Sequence, residues 1–236
     1  MIGWNKKGNG GTGHDKEAVL ERPAEIYRRI CAGGGLLFLP AGTLAYPAAW
    51  RFLALLFFPM LCLGAWLMVK SPALLAKRLE SRESQGEQAL VVKLSGLMFV
   101  VGFAGAGLEF RLGWARLPGW LSWGASAVFL LAYGLYARVM AENAYLSRTV
   151  RVQEGQRVID TGLYAIVRHP MYSAVILLFL SIPLVLGSVV ALAVFLPFPA
   201  LMVRRIRNEE AVLAEGLEGY RDYQRRVKYR LIPFVW

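Results

Sequence analysis

Two polar clusters interrupt an otherwise apolar chain where chemistry is possible. One is Thr161-Gly162-Leu163-Tyr164-Ala165-Ile166-Val167-Arg168-His169-Pro170-Met171-Tyr172; the other runs from Arg204-Arg205 to Glu209-Glu210, beyond the apolar block 172–203. A guanidinium beside an imidazole can meet an anion by charge-assisted hydrogen bonds. An aromatic face such as that of Tyr172 can favour a cation, and a carboxylate accepts from ammonium and hydroxyl groups. Pro170 suits the first turn of a helix, where a missing N–H is no loss. Arg168 and His169 then fall at that helix's N-terminus, where free backbone N–H groups favour anionic ligand groups. Adjacent helix positions point about 100° apart, so only one of Glu209 and Glu210 can point squarely into a shared pocket. Singly, each cluster has a plain reading: interface anchor, topogenic charge, solvated face. Brought together by a short turn, they form a candidate site.

The elements that position these clusters follow from the apolar runs. As one helix, 172–203 would be about 48 Å long at about 1.5 Å per residue. A hydrocarbon core is about 30 Å thick, so one span does not fit. Leu186-Gly187-Ser188 supplies a turn, which predicts two antiparallel helices over 172–186 and 188–206. Earlier apolar segments cover about 31–47, 50–69, 94–110 and 119–140, the first interrupted by Gly33-Gly34-Gly35 and Pro40. The expected fold is an all-α integral membrane protein, a bundle of about five to six transmembrane helices. It ends in a tight helix hairpin plus a cytoplasmic amphipathic helix within Glu209 to Tyr229 that can lie on a membrane. The expected organisation is a cytoplasmic tail and surface helix (1–30), N-terminal transmembrane helices (31–140) and a C-terminal functional region (141–236). Gly96, Gly102, Gly105 and Gly107 are expected to let helices pack closely.

Composition agrees. The 236 residues are 56% hydrophobic and 18% charged, with a mean hydropathy of +0.44. The net charge of +11 raises nucleic-acid binding as an explanation, but its distribution argues otherwise. On the six-segment arrangement, all of the 27 Lys and Arg except Arg51, Arg111 and Arg116 fall on one side. That asymmetry predicts an integral membrane protein with both termini cytoplasmic, and needs no nucleic acid. Cys31 and Cys62 are far apart and only two histidines are present, so no metal site is expected. Gly8, Gly10 and Gly13 satisfy G-x-G-x-x-G without the strand and helix that would give it meaning.

From about Ser147 to Trp236 the chain resembles the isoprenylcysteine carboxyl methyltransferase family and its prokaryotic membrane relatives. The matching residues are Ser147-Arg148-Thr149, Val158-x-x-Thr161-Gly162-x-Tyr164, Arg168-His169-Pro170-x-Tyr172, Glu209-Glu210, Gly219-Tyr220-x-x-Tyr223-x-x-x-Val227 and Arg230-x-x-Pro233. The resemblance implies that 141–236 binds S-adenosylmethionine and transfers its methyl group to a lipophilic acceptor entering from the bilayer. The acceptor would be an isoprenylcysteine carboxylate or another lipid, isoprenoid or thiol, and the setting a bacterial inner membrane. Tyr164, His169, Pro170, Tyr172, Glu209 and Glu210 would hold the cofactor, while Arg148, Arg168 and Arg205 would orient the acceptor. The family usually carries Pro where Leu163 stands and Gly where Ala174 stands; the second difference is expected to reshape the pocket.

Two other classes are compatible with the sequence. Sterol-type membrane reductases share an Arg-His-Pro-x-Tyr-like element and bind a nicotinamide cofactor, although Glu209-Glu210 suits a dinucleotide phosphate poorly. A non-catalytic membrane scaffold with a basic tail is the third.

Overall fold

A computed structural model describes residues 33–71, 74–75, 86–143, 145–146 and 152–236. The expected tail and surface helix of residues 1–30, and Arg148 with its Ser147-Arg148-Thr149 motif, lie outside the described residues. Among those described, the fold is helical apart from one isolated bridge between Arg116 and Ser188. We label the helices α1 (33–41), α2 (Pro47–Lys70), α3 (Gly86–Leu112), α4 (Gly119–Glu142), α5 (Pro170–Leu186), α6 (Val189–Phe195), α7 (Phe198–Gly216) and α8 (Tyr220–Arg226).

Among the described residues, four elements are long and apolar enough to cross a bilayer: α2, α3, α4, and α6 with α7 taken together as Val189–Gly216. The protein is therefore an integral membrane protein. The expected six spans are not all reproduced. The expected 31–47 segment stops at residue 41, because Gly42 adopts φ 66° and Pro47 opens the next helix. α5 has 17 residues, about 25 Å of helix at about 1.5 Å per residue, a little short of a full crossing. The expected C-terminal amphipathic helix is not continuous either. α7 runs on to Gly216, and Gly219, at φ 78°, separates it from α8.

The hairpin turn falls where the sequence placed it. Gly187 is left-handed at φ 70°, and Ser188 N donates to Pro183 O at 3.0 Å, closing α5. Ser188 then caps α6 by accepting from Ala191 N at 2.9 Å. Glu109, buried on α3, accepts from Ser188 Oγ and from the amides of Val189 and Val190 at 3.2 Å each. A carboxylate is favoured at that helix start by the dipole and the unpaired N–H groups. The last carbonyls of α5 are also met. Val185 O accepts from Arg51 Nη2 at 3.1 Å and Ser122 Oγ at 2.6 Å, Leu186 O from Tyr46 Oη at 2.9 Å, and Gly187 O from Leu117 N at 3.1 Å. In hydrocarbon each such group must find a partner inside the protein.

Of Gly96, Gly102, Gly105 and Gly107 on α3, the last three do pack closely. A Cβ on Gly102 would stand 2.5 Å from Phe195 Cε2, one on Gly105 would stand 2.9 Å from Val190 Cγ1, and Gly107 lies against the backbone of α1. Gly96 departs from the expectation, since a Cβ there would meet nothing within 4 Å. Toward its N-terminal end α3 thus leaves the tight contact it makes with α6.

Candidate functional site

The site lies at the end of the hairpin away from the turn, where α5 begins and α7 approaches its end. Pro170 is the first residue of α5 and His169 its N-cap. The expected free N–H groups are largely taken. Arg168 N donates to Tyr229 O and His169 N to Arg230 O, both at 2.9 Å, because residues 229–231 lie alongside this helix start. Ser173 Oγ adds a bond to Leu231 O at 2.8 Å. Two of the amides expected to be free at this terminus, Arg168 N and His169 N, are therefore occupied by the chain's own carbonyls.

Behind this contact sits a buried charge cluster. Glu210 accepts from Arg168 Nε and Arg230 Nε at 2.8 Å each, and lies 3.1 Å from His169 Nε2. Arg168 Nη1 also donates to Val227 O at 2.7 Å and Lys228 O at 3.1 Å. Glu210 thus ties α5, α7 and the C-terminal segment together.

Glu209, one residue earlier, points into a cavity of about 460 Å³ that Glu210 does not line. The helical geometry made this division between neighbours predictable. Glu209 accepts from Tyr172 Oη, and Arg205 Nε donates to the same phenol at 2.9 Å. Of the sequence-derived site residues, Tyr164, Arg168, His169, Tyr172, Arg205 and Glu209 line the cavity; Pro170 and Glu210 stand behind it.

The cavity has two limbs of opposite character. One is polar and lined by Asn143, Gln156, Tyr164, His169, Glu209 and Tyr220. The other is apolar, with Val92, Gly96 and Phe99 from α3, Phe179 from α5, and Phe198 and Met202 from α7. Tyr172, Arg205 and Glu209 stand where the two meet. Val92 and Gly96, at the polar end of the apolar limb's α3 wall, are also exposed at the surface of the bundle.

The polar limb is held by its own hydrogen bonds. Glu142 accepts from Leu163 N at 2.9 Å and from Arg138 Nε at 2.7 Å, fixing the 3₁₀ turn Gly162–Ala165 that carries Tyr164. Leu163 can make that bond where Pro would have no N–H, so its substitution is used by the structure. Gly162 is required there: φ is 58° and a Cβ would fall 2.6 Å from Glu142 Oε2. Asn143 Nδ2 donates to Tyr164 Oη at 3.0 Å, and Tyr223 Oη to Tyr164 O at 2.8 Å. Burial pushes the phenols of Tyr164, Tyr220 and Tyr223 above their ordinary range, so all remain protonated donors. Tyr220 Oη is buried, lines the cavity and has no hydrogen-bond partner among the described residues. Ala174 is fully buried and does not line the cavity, contrary to the expected reshaping.

Sequence reasoning missed the aromatic residues of the apolar limb and the part played by Arg230. The signal for the former was present: Phe99, Phe179 and Phe198 each stand seven positions, two helical turns, from Val92, Tyr172 and Arg205. A Phe in an apolar run is ordinarily packing, so spacing alone did not single them out.

A polytopic helical membrane protein with a divided cavity at one end of its terminal hairpin is the class that fold and site define. Residues 124–215 match the model of the isoprenylcysteine carboxyl methyltransferase (ICMT) family. The segment includes the hairpin, the Arg168-His169-Pro170-x-Tyr172 motif and both glutamates. The chain is also 32% identical over 91 residues to the Delta(14)-sterol reductase TM7SF2 of Mus musculus, a match covering 37% of this chain and 22% of that protein.

Proposed function

We propose that the protein is an S-adenosylmethionine-dependent methyltransferase acting on a lipophilic acceptor, with both termini at the cytoplasmic face of a bacterial inner membrane. The observation that carries this reading is the divided cavity, polar on one side and apolar on the other, within the segment that matches the family. Its residues fit the cofactor. Glu209 can accept from an ammonium or a ribose hydroxyl, and Tyr172 offers an aromatic face to a sulfonium. Arg168 and His169 present cationic or donor edges to a carboxylate. Tyr220 Oη, buried without a partner among the described residues, gains one when a polar ligand fills the limb; an unpaired buried hydroxyl is otherwise unfavourable.

When bound, S-adenosylmethionine supplies an electrophilic methyl group on sulfur. The protein's contribution is position: Arg205, fixed by Tyr172, orients the acceptor's polar head, and the apolar limb holds the remainder. The family's named acceptor is an isoprenylcysteine carboxylate; a thiolate or carboxylate needs no base, whereas an amine must first lose a proton. Arg148 is a further candidate for orienting an anionic acceptor, and unchanged turnover in Arg148→Ala would remove it.

The match to a sterol reductase favours one second reading, a reductase holding NADPH in the polar limb. Glu209 in that wall would repel a dinucleotide phosphate. Isothermal titration of the detergent-purified protein separates the two. The methyltransferase reading expects micromolar binding of S-adenosylhomocysteine, lost in His169→Ala and Glu209→Ala, and no binding of NADPH. The reverse pattern would establish the reductase.

A further inference from the structure

The apolar limb has a floor, and the floor is aromatic. Phe99 is the last residue of α3 to line the cavity, Phe179 the last of α5, and Phe198 the farthest along α7 from the polar end. Their rings pack against one another as an aromatic plate, edge to face for Phe99–Phe179 with centroids 4.7 Å apart and tilted for Phe179–Phe198 at 4.5 Å. Phe195 backs it, 5.3 Å from Phe99. Immediately below, Gly102 brings α3 into contact with Phe195, and no α3 or α5 residue beyond Phe99 and Phe179 lines the cavity.

The depth above the plate is the same on all three helices. Val92 to Phe99, Tyr172 to Phe179 and Phe198 to Arg205 are each seven positions, or about 10 Å at about 1.5 Å per residue. From this we infer that the apolar limb measures its ligand. It accepts a medium-length lipophile whose polar head stands at Tyr172 and Arg205 and whose apolar portion ends on the Phe99–Phe179–Phe198 plate. An extended alkyl chain with C–C bonds of about 1.5 Å zigzags and advances about 1.25 Å per carbon, so that portion is on the order of eight carbons. Phe99 is the specificity-determining residue, because it alone of the three is contributed by α3, the helix that diverges to form the limb. The inference narrows the acceptor class under the methyltransferase reading and rests on that reading for the identity of the transferred group.

Native mass spectrometry in detergent with straight-chain alkanethiols of increasing length tests the depth directly, with and without S-adenosylhomocysteine. The expected result is a saturable one-ligand adduct up to about eight carbons, declining for dodecanethiol and absent for hexadecanethiol. In Phe99→Ala the cut-off should move to longer chains, with the dodecanethiol adduct at least tenfold more abundant relative to wild type. Phe99→Leu, which keeps apolar packing with a smaller side chain, should fall between them and covers the case in which the alanine variant does not fold. No adduct at any length, or a cut-off unmoved by either variant, would overturn the inference, as would equal binding at all lengths. Failure of the cofactor reading would show separately, as a missing S-adenosylhomocysteine adduct beside an intact alkyl cut-off.

Discussion

The hairpin formed by α5 with α6 and α7 has two ends, and each buries a carboxylate from a neighbouring or returning helix. At the turn, Glu109 caps α6 while Arg51, Ser122 and Tyr46 take the last carbonyls of α5. At the other end, Glu210 joins Arg168, His169 and Arg230. Both arrangements place charge out of water, and both satisfy it. What distinguishes them is the space next to the second cluster, with Glu209 facing it and Tyr220 Oη left unpartnered among the described residues. Buried charge in a membrane bundle therefore does not by itself mark a site. At the turn it completes the hydrogen bonding that lipid cannot supply; at the open end it stiffens the wall of a cavity.

Breaking the two clusters should separate these roles. Glu210→Ala leaves Arg168 and Arg230 facing each other without their shared anion, and should cost about 3–5 kcal/mol of stability. This would be the largest drop in detergent melting temperature of the set, accompanied by loss of ligand binding. Glu109→Ala frees two helix amides and Ser188, and should cost about 1–3 kcal/mol. Its S-adenosylhomocysteine affinity, measured by titration on the folded fraction, should match wild type; a tenfold loss would show that the turn end is coupled to the cavity.

Subtler variants sharpen the contrast between adjacent glutamates. Glu209→Gln should weaken S-adenosylhomocysteine binding about tenfold, about 1.4 kcal/mol, while the melting temperature barely moves. A melting loss as large as that of Glu210→Ala would mean that the two share one structural role. The smallest effect is expected for Tyr220→Phe. Removing an unpartnered buried hydroxyl should leave the ligand-free protein equally or slightly more stable. Binding should weaken by about 0.5–1.5 kcal/mol, the worth of one hydrogen bond. Unchanged affinity would remove Tyr220 from the ligand's contacts.

Much of the hairpin was legible in the sequence. The length of the 172–203 block excluded a single crossing, and Gly187 marked the turn because few other residues take its left-handed conformation without strain. The division between Glu209 and Glu210 followed from helical periodicity. Less legible was the start of α5. Pro170 was correctly placed at the first turn, yet the neighbouring amides are filled by Tyr229 and Arg230 carbonyls some 60 residues away, a contact no local pattern encodes. The extent of the first apolar segment was likewise not legible, because apolar composition does not reveal where Gly42 ends a helix.

The sequence by itself determined the membrane setting, the helical elements and the two polar clusters at opposite ends of the last apolar block. These depend on composition, periodicity and local backbone preference, all of which act over a few residues. Only the tertiary structure decided which Arg and Glu are locked together and which line a cavity. It also showed that one α3 glycine opens onto that cavity while three close the bundle, and that three Phe residues on separate helices form one floor. Those outcomes depend on where helices distant in sequence converge and diverge, which is settled by side-chain packing across the whole bundle.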